Sequence, residues 1–217
     1  MTAWDLIRFF IIWSTISTIV SFLGGLIVYR FLTFEMKIIL TYCGAGTLFE
    51  FLNLYFRSRH LQSQPLVHIL TIIEYVTLMT VFVLWQKEPL LRKILSLSIP
   101  IYVLVGAISF FNVENVHRFS IYTRPFAQLF IIVASAYTLY QINQEIEPRL
   151  FRKPQFWVSS ALLIYFGSTL ILWASLNSLL GLKLILLQKI FLLNEVANIV
   201  ASSLILTGFL CMVPERN

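Results

Sequence analysis

Leu66-Val-His68-Ile-Leu-Thr71-Ile-Ile-Glu74-Tyr75-Val-Thr77-Leu-Met-Thr-Val-Phe-Val-Leu-Trp85 is apolar almost throughout, with one carboxylate, Glu74, inside it and one histidine, His68, near its start. A helix of roughly 20 predominantly apolar residues matches the hydrocarbon thickness of a bilayer. Working outward from this stretch, six further runs of the same kind lie at 6–28, 36–56, 91–111, 119–142, 155–176 and 184–212. The expected fold is therefore all-α, a polytopic transmembrane bundle of seven helices that makes one domain of residues 1–217.

The separators carry helix-breaking and charged residues: Arg57, Ser58 and Arg59 before Pro65, then Lys87-Glu88-Pro89, then 112–118, then 145–154 with two prolines. Pro100 and Pro125 fall inside or near the start of their runs, where a kink or late start is expected. The first run follows Asp5 and Arg8 and has no small-residue cleavage site, so it reads as a retained helix.

Composition agrees. Hydrophobic residues are 59% of the chain and charged residues 12%, with a mean hydropathy of +0.84, so lipid is the expected solvent for most of the surface. The short loops leave no expected place for a soluble catalytic domain, and no Gly-rich phosphate loop or cofactor motif occurs. The net charge of +6 belongs to the loops and points to anionic membrane lipids as partners, not to nucleic acid. Cys43 and Cys211 both fall within apolar runs, where packing roles are expected and a disulfide framework is not.

An odd number of spans separates the termini. One side of the bundle would hold Arg30, Lys37, Lys87, Arg92, Lys93, Arg149, Arg152, Lys153 and Arg216; the other has Arg57, Arg59, Arg118 and Lys183, with Arg8, Arg124 and Lys189 in helix ends. The excess predicts an amino terminus outside and a carboxyl terminus in the cytoplasm.

The charges left inside the spans are the main clue to function. A charge in a spanning helix costs about 2.5–3.5 kcal/mol on insertion scales, so such residues face the bundle interior and pair. Glu50, Glu74 and Glu195 fall roughly 9, 12 and 16 Å in from one face, at about 1.5 Å per residue, and Arg124, Lys189 and His68 lie at similar or shallower depth. These residues predict an outward-facing polar chamber in which the glutamates are held against the cations.

Each glutamate also sits in a similar short segment: Thr47-Leu-Phe-Glu50-Phe-Leu-Asn53, Thr71-Ile-Ile-Glu74-Tyr75-Val-Thr77 and Leu192-Leu-Asn194-Glu195-Val-Ala-Asn198. The polar residue three positions on shares the helix face, although segments this short also recur by chance in an apolar alphabet. The candidate ligand-binding set is thus Glu50, Asn53, His68, Glu74, Tyr75, Arg124, Tyr165, Lys189, Asn194, Glu195 and Asn198. Tyr42 joins Tyr75 and Tyr165 as a candidate ligand-lining hydroxyl. The competing structural role is a polar network that fixes helix packing, with the asparagines bonding across helices.

His60, His68 and His117 lack two-ligand spacing along one helix, so no metal site is expected. Several seven-helix chemistries are disfavoured. Ceramidase-type and adiponectin-receptor-type hydrolases use a histidine pair near the last helix, and no histidine follows His117. Retinal proteins need a lysine deep in the last helix, whereas Lys189 is near its start. Rhomboid-type chemistry needs a Gly-x-Ser-Gly context that Gly167-Ser168 and Ser159-Ser160 do not provide. The Pro-Gln motif of the seven-helix sugar transporters is absent, Gln64-Pro65 having the reverse order.

The segments His68-Ile-Leu-Thr-Ile-Ile-Glu74-Tyr75 and Phe156-Trp157, with Leu163-Ile-Tyr165-Phe-Gly167-Ser-Thr169, resemble a group of small, uncharacterised seven-helix membrane proteins of bacteria. The resemblance covers about residues 65–212. It implies a multi-pass place in the bacterial cytoplasmic (inner) membrane and importance for His68, Glu74 and Tyr165, and it implies no activity.

The function expected is that of a receptor-like or sensory membrane protein that binds a small polar or amphiphilic ligand and signals through a cytoplasmic partner. A proton-coupled small-molecule transporter is the alternative, which calls for a second polar cluster in the other half. An intramembrane lipid-modifying enzyme, with Glu74 or Glu50 as general base beside His68, is the third. No enzyme signature of high specificity is present.

Overall fold

The structure, a computed structural model, describes residues 3–59, 64–109, 123–144, 150–174 and 184–214. They form seven α-helices: α1 (Ala3–Ile27), α2 (Phe34–Ser58), α3 (Gln64–Trp85), α4 (Pro89–Ile108), α5 (Thr123–Gln144), α6 (Pro154–Ala174) and α7 (Leu184–Leu210). Six of them, all but α6, are over their described residues long and apolar enough to cross a membrane. The apolar runs read from sequence therefore become helices, with boundaries a few residues from those expected.

Local chemistry explains the ends. Proline disfavours helical backbone in the residue before it, and Glu88 is extended, at φ −77° and ψ 122°, with Pro89 opening α4. Pro154 opens α6 in the same way, where the missing N–H would have no helical partner. After α1 the chain tightens into a 3-10 turn at Tyr29–Phe31 and becomes extended at Leu32 before α2 begins.

Packing arranges six helices in a ring: α1 on α2, α2 on α3, α3 on α5, α5 on α6, α6 on α7, and α7 back on α1. α4 stands outside this ring, laid mainly against α3. Its outward residues Leu90, Ile94, Leu97, Ile101 and Leu104 are all more than half exposed, as lipid-facing residues are. Pro100 sits within it, so α4 lacks one internal N–H donor on a helix that carries little of the core.

One end of the bundle gathers Arg30, Lys37, Lys87, Arg92, Lys93, Arg152 and Lys153, and is called the basic end below. Fully buried apolar side chains lie toward it: Met36 and Ile39 of α2, Leu78, Met79 and Phe82 of α3, Leu162 of α6, and Phe209 of α7. They make an apolar floor across the ring. The buried polar residues of the opposite half, among them Thr47, Thr71, Glu74 and Gln128, lie nearer the other end.

Candidate functional site

Glu74 lies near the middle of α3 and is buried, at 7% exposure. The Tyr42 hydroxyl of α2 donates to its Oε1 at 3.2 Å, and Arg124 of α5 is its nearest cationic influence. Tyr165 of α6 lies within electrostatic reach of Glu74, Arg124, Glu195 and Glu50 together, and Tyr42 within reach of Tyr165. Five ring helices thus converge on one place: α2 through Tyr42 and Glu50, α3 through Glu74, α5 through Arg124, α6 through Tyr165 and α7 through Glu195. A group of carboxylates this size inside an apolar bundle is costly unless compensated, and Arg124 and Tyr42 supply part of that compensation.

Gln128 belongs to the same place, although sequence reasoning passed over it. It follows Arg124 by one turn of α5 and is 1% exposed. Its Nε2 donates to Thr169 Oγ1 at 3.1 Å, while the Thr169 hydroxyl donates to Phe166 O. Because that hydroxyl hydrogen is committed, the amide must turn its N–H toward Thr169, which leaves Oε1 buried with no hydrogen-bond partner among the described residues.

Depth confirms the neighbourhood. Gln86, just past the end of α3, pairs with Thr138 of α5, and α3 and α5 run parallel. Counting the same distance back from each leads to Glu74 on α3 and to Phe126 on α5, between Arg124 and Gln128. The signal that could have found Gln128 was its spacing: an uncharged polar residue four positions after Arg124 in an apolar helix.

Two further amide oxygens, Asn53 Oδ1 and Asn194 Oδ1, are buried without partners among the described residues and neighbour Glu50 and Glu195 on their helices. On α2, Gly46 stands one turn from both Tyr42 and Glu50, and a Cβ there would meet nothing within 4 Å. The α2 wall of the site is open at that point.

Other sequence candidates go elsewhere. Tyr75 is buried, but its hydroxyl donates to Ser98 Oγ of α4 at 3.0 Å and its ring packs on Tyr102 with centroids 4.0 Å apart. It seals the α3–α4 contact. His68 is buried and precedes Tyr75 by seven residues, so it shares that stripe and stands about 120° around α3 from Glu74.

Asn198 turns to α1, where its Nδ2 donates to Ser14 Oγ at 2.8 Å and to Thr18 Oγ1 at 3.4 Å. Ser202 adds a contact to Thr18 at 3.5 Å. This network fastens α7 to α1. Lys189 falls on α7, but its side chain lies outside the described residues, as do His60 and His117. Among the described residues no group of His, Cys, Asp and Glu has metal-holding geometry. Cys43 and Cys211 are free thiols.

The half toward the basic end carries buried polar residues of its own. Ser135, Thr138 and Gln86 are buried there, all uncharged, and the two hydroxyls bond their own helix carbonyls. In comparisons of sequence and fold, no protein-family model, no curated protein and no solved structure matches the chain.

Proposed function

We propose that this chain is a receptor-like or sensory membrane protein whose helix ring binds a small polar or amphiphilic ligand at the Glu74 site. The observation that carries the proposal is a buried, acceptor-rich cluster above an apolar layer. Glu74 lies beside Arg124, Glu50 and Glu195 come within reach of the same Tyr165, and the amide oxygens of Gln128, Asn53 and Asn194 lack donors among the described residues. A cationic, hydrogen-donating group, such as an amine, would supply those oxygens with donors in an acidic setting, and charge-assisted hydrogen bonds are the strong ones. Leu78, Phe82 and Leu162 lie beneath on the side of the basic end, which favours entry from the opposite end. The Lys and Arg excess at the basic end favours a cytoplasmic location for that end in a bacterial inner membrane, where a signalling partner would meet it.

The test is thermal unfolding of the protein in lipid nanodiscs against amines, quaternary ammonium compounds and carboxylates of matched size. Amines should stabilise, by about 2.7 kcal/mol at a hundredfold excess over Kd. Glu74→Gln should abolish that gain with expression and ligand-free stability kept. Stabilisation by carboxylates alone, or equally in Glu74→Gln, would contradict the proposal.

A second reading, a proton-coupled transporter, is favoured by the buried Gln86–Thr138 pair below the floor at 3.3 Å. It requires pH-driven uptake of the same amine into proteoliposomes, and binding without uptake would exclude it.

A further inference from the structure

At the basic end the structure opens a cavity of about 290 Å³ between α3, α5 and α6, lined by Trp85, Lys87, Thr138, Gln141, Lys153 and Gln155. It lies across the apolar floor from the Glu74 site and its chemistry is the reverse. Lys87 and Lys153 bring ammonium groups, Gln141 and Gln155 bring amides, and α6 begins at Pro154, so its positive dipole end adds to this wall. Glu88 is the carboxylate beside Lys87, and it accepts a hydrogen bond from the Tyr137 hydroxyl, which Gln141 also contacts.

Gln86, which does not line the cavity, holds Thr138 from behind. Thr138 donates to Ala134 O at 2.8 Å and accepts from Gln86 Nε2 at 3.3 Å. Gln86 is 5% exposed, and its Oε1 has no partner among the described residues. Trp85 ends a membrane-length helix, which puts the cavity at headgroup depth. The volume is at the small end for ligand pockets, which run from about 300 Å³ upward.

We propose that this cavity seats a phosphate ester, its phosphate on Lys87 and Lys153 and its remaining polar groups on the Gln141 and Gln155 amides. Such chemistry is found in phospholipid headgroups and in soluble glycerol phosphates. The site is independent of the amine chamber.

The test is native mass spectrometry of the full chain in detergent, titrated with phosphatidylglycerol, with phosphatidylcholine, whose headgroup carries no net charge, and with glycerol phosphate. Each lysine near an anionic lipid contributes about fivefold in affinity, so K87Q/K153Q should weaken phosphatidylglycerol binding roughly 30-fold. K153Q alone should weaken it about fivefold, and K87R/K153R should restore most of it. Phosphatidylcholine binding should be weaker and lose less on substitution, because its phosphate is offset by its own quaternary ammonium. Displacement of the lipid by millimolar glycerol phosphate would assign the site to the soluble ester, and failure to displace would assign it to the lipid. Equal phosphatidylglycerol affinity in wild type, K153Q and K87Q/K153Q would overturn the proposal, as would equal losses for both lipids.

Discussion

Replacing Gln128 by methionine should stabilise the ligand-free protein, and the sign of that effect carries the information. Gln128 is 1% exposed and makes one hydrogen bond, from Nε2 to Thr169 at 3.1 Å, while its Oε1 is unpaired. Losing an interhelical hydrogen bond in a membrane costs about 0.6 kcal/mol on average. Removing a buried unsatisfied carbonyl recovers about 1–3 kcal/mol. The volumes are close, so repacking costs little. The balance favours Gln128→Met by about 1 kcal/mol.

Thr169→Val does the opposite: it leaves the Gln128 Nε2 without its acceptor and adds a second orphan, for a loss of about 1–3 kcal/mol. Reversible unfolding in mixed detergent micelles, with and without an amine that stabilises the wild type, measures both. Gln128→Met should unfold later when ligand-free and gain less from the amine, as expected where a site trades stability for function. Destabilisation by Gln128→Met as large as that by Thr169→Val would show that Oε1 has a protein partner, and the case for a ligand-seeking oxygen would fall with it.

Other consequences are more local. Gly46→Leu should fill the open space between Tyr42 and Glu50 and abolish amine stabilisation with a ligand-free melting temperature no lower than wild type, measured by the same thermal assay. Gly25→Ala should destabilise, because its Cβ would stand 2.5 Å from Leu40 Cδ1 and 2.9 Å from Phe209 Cε2. Overpacking of about 1–3 kcal/mol outweighs the roughly 1 kcal/mol that alanine gains in a helix. Asn198→Leu should lower stability by about 1 kcal/mol through its lost contacts to Ser14 and Thr18, leaving amine affinity unchanged in the same titration.

Cys211 is partly exposed and Cys43 buried, so only Cys211 should alkylate in the folded protein. Burial pushes the Cys211 thiol up, so its labelling rate, followed by mass spectrometry, should still be rising at pH 9. A plateau by pH 8 would contradict this.

The helices were legible because hydropathy over a bilayer thickness is a strong and local signal, and Pro89 and Pro154 mark starts that any backbone must respect. The acidic cluster was legible for a related reason: carboxylates in apolar runs are costly enough that Glu50, Glu74 and Glu195 had to share an interior. What sequence does not encode locally is which helices close the ring. α4 is as apolar as its neighbours, and only packing shows that it stands outside. Tyr75 therefore serves the α3–α4 seam and not the chamber. Asn198 illustrates the same limit, since an asparagine in lipid needs partners but its sequence does not say whether a ligand or Ser14 supplies them. Gln128 was missed because attention to charge overlooks an uncharged group whose cost appears only when its partners can be counted.

The most direct test of the amine chamber is a structure in lipid nanodiscs with a stabilising amine present. Density joining the amine to Glu74 and to Gln128 Oε1, within reach of Tyr165 and Arg124, is the predicted result. A cluster in which those same groups are paired only with one another, with the amine elsewhere or absent, would contradict the account and leave the residues as a packing network.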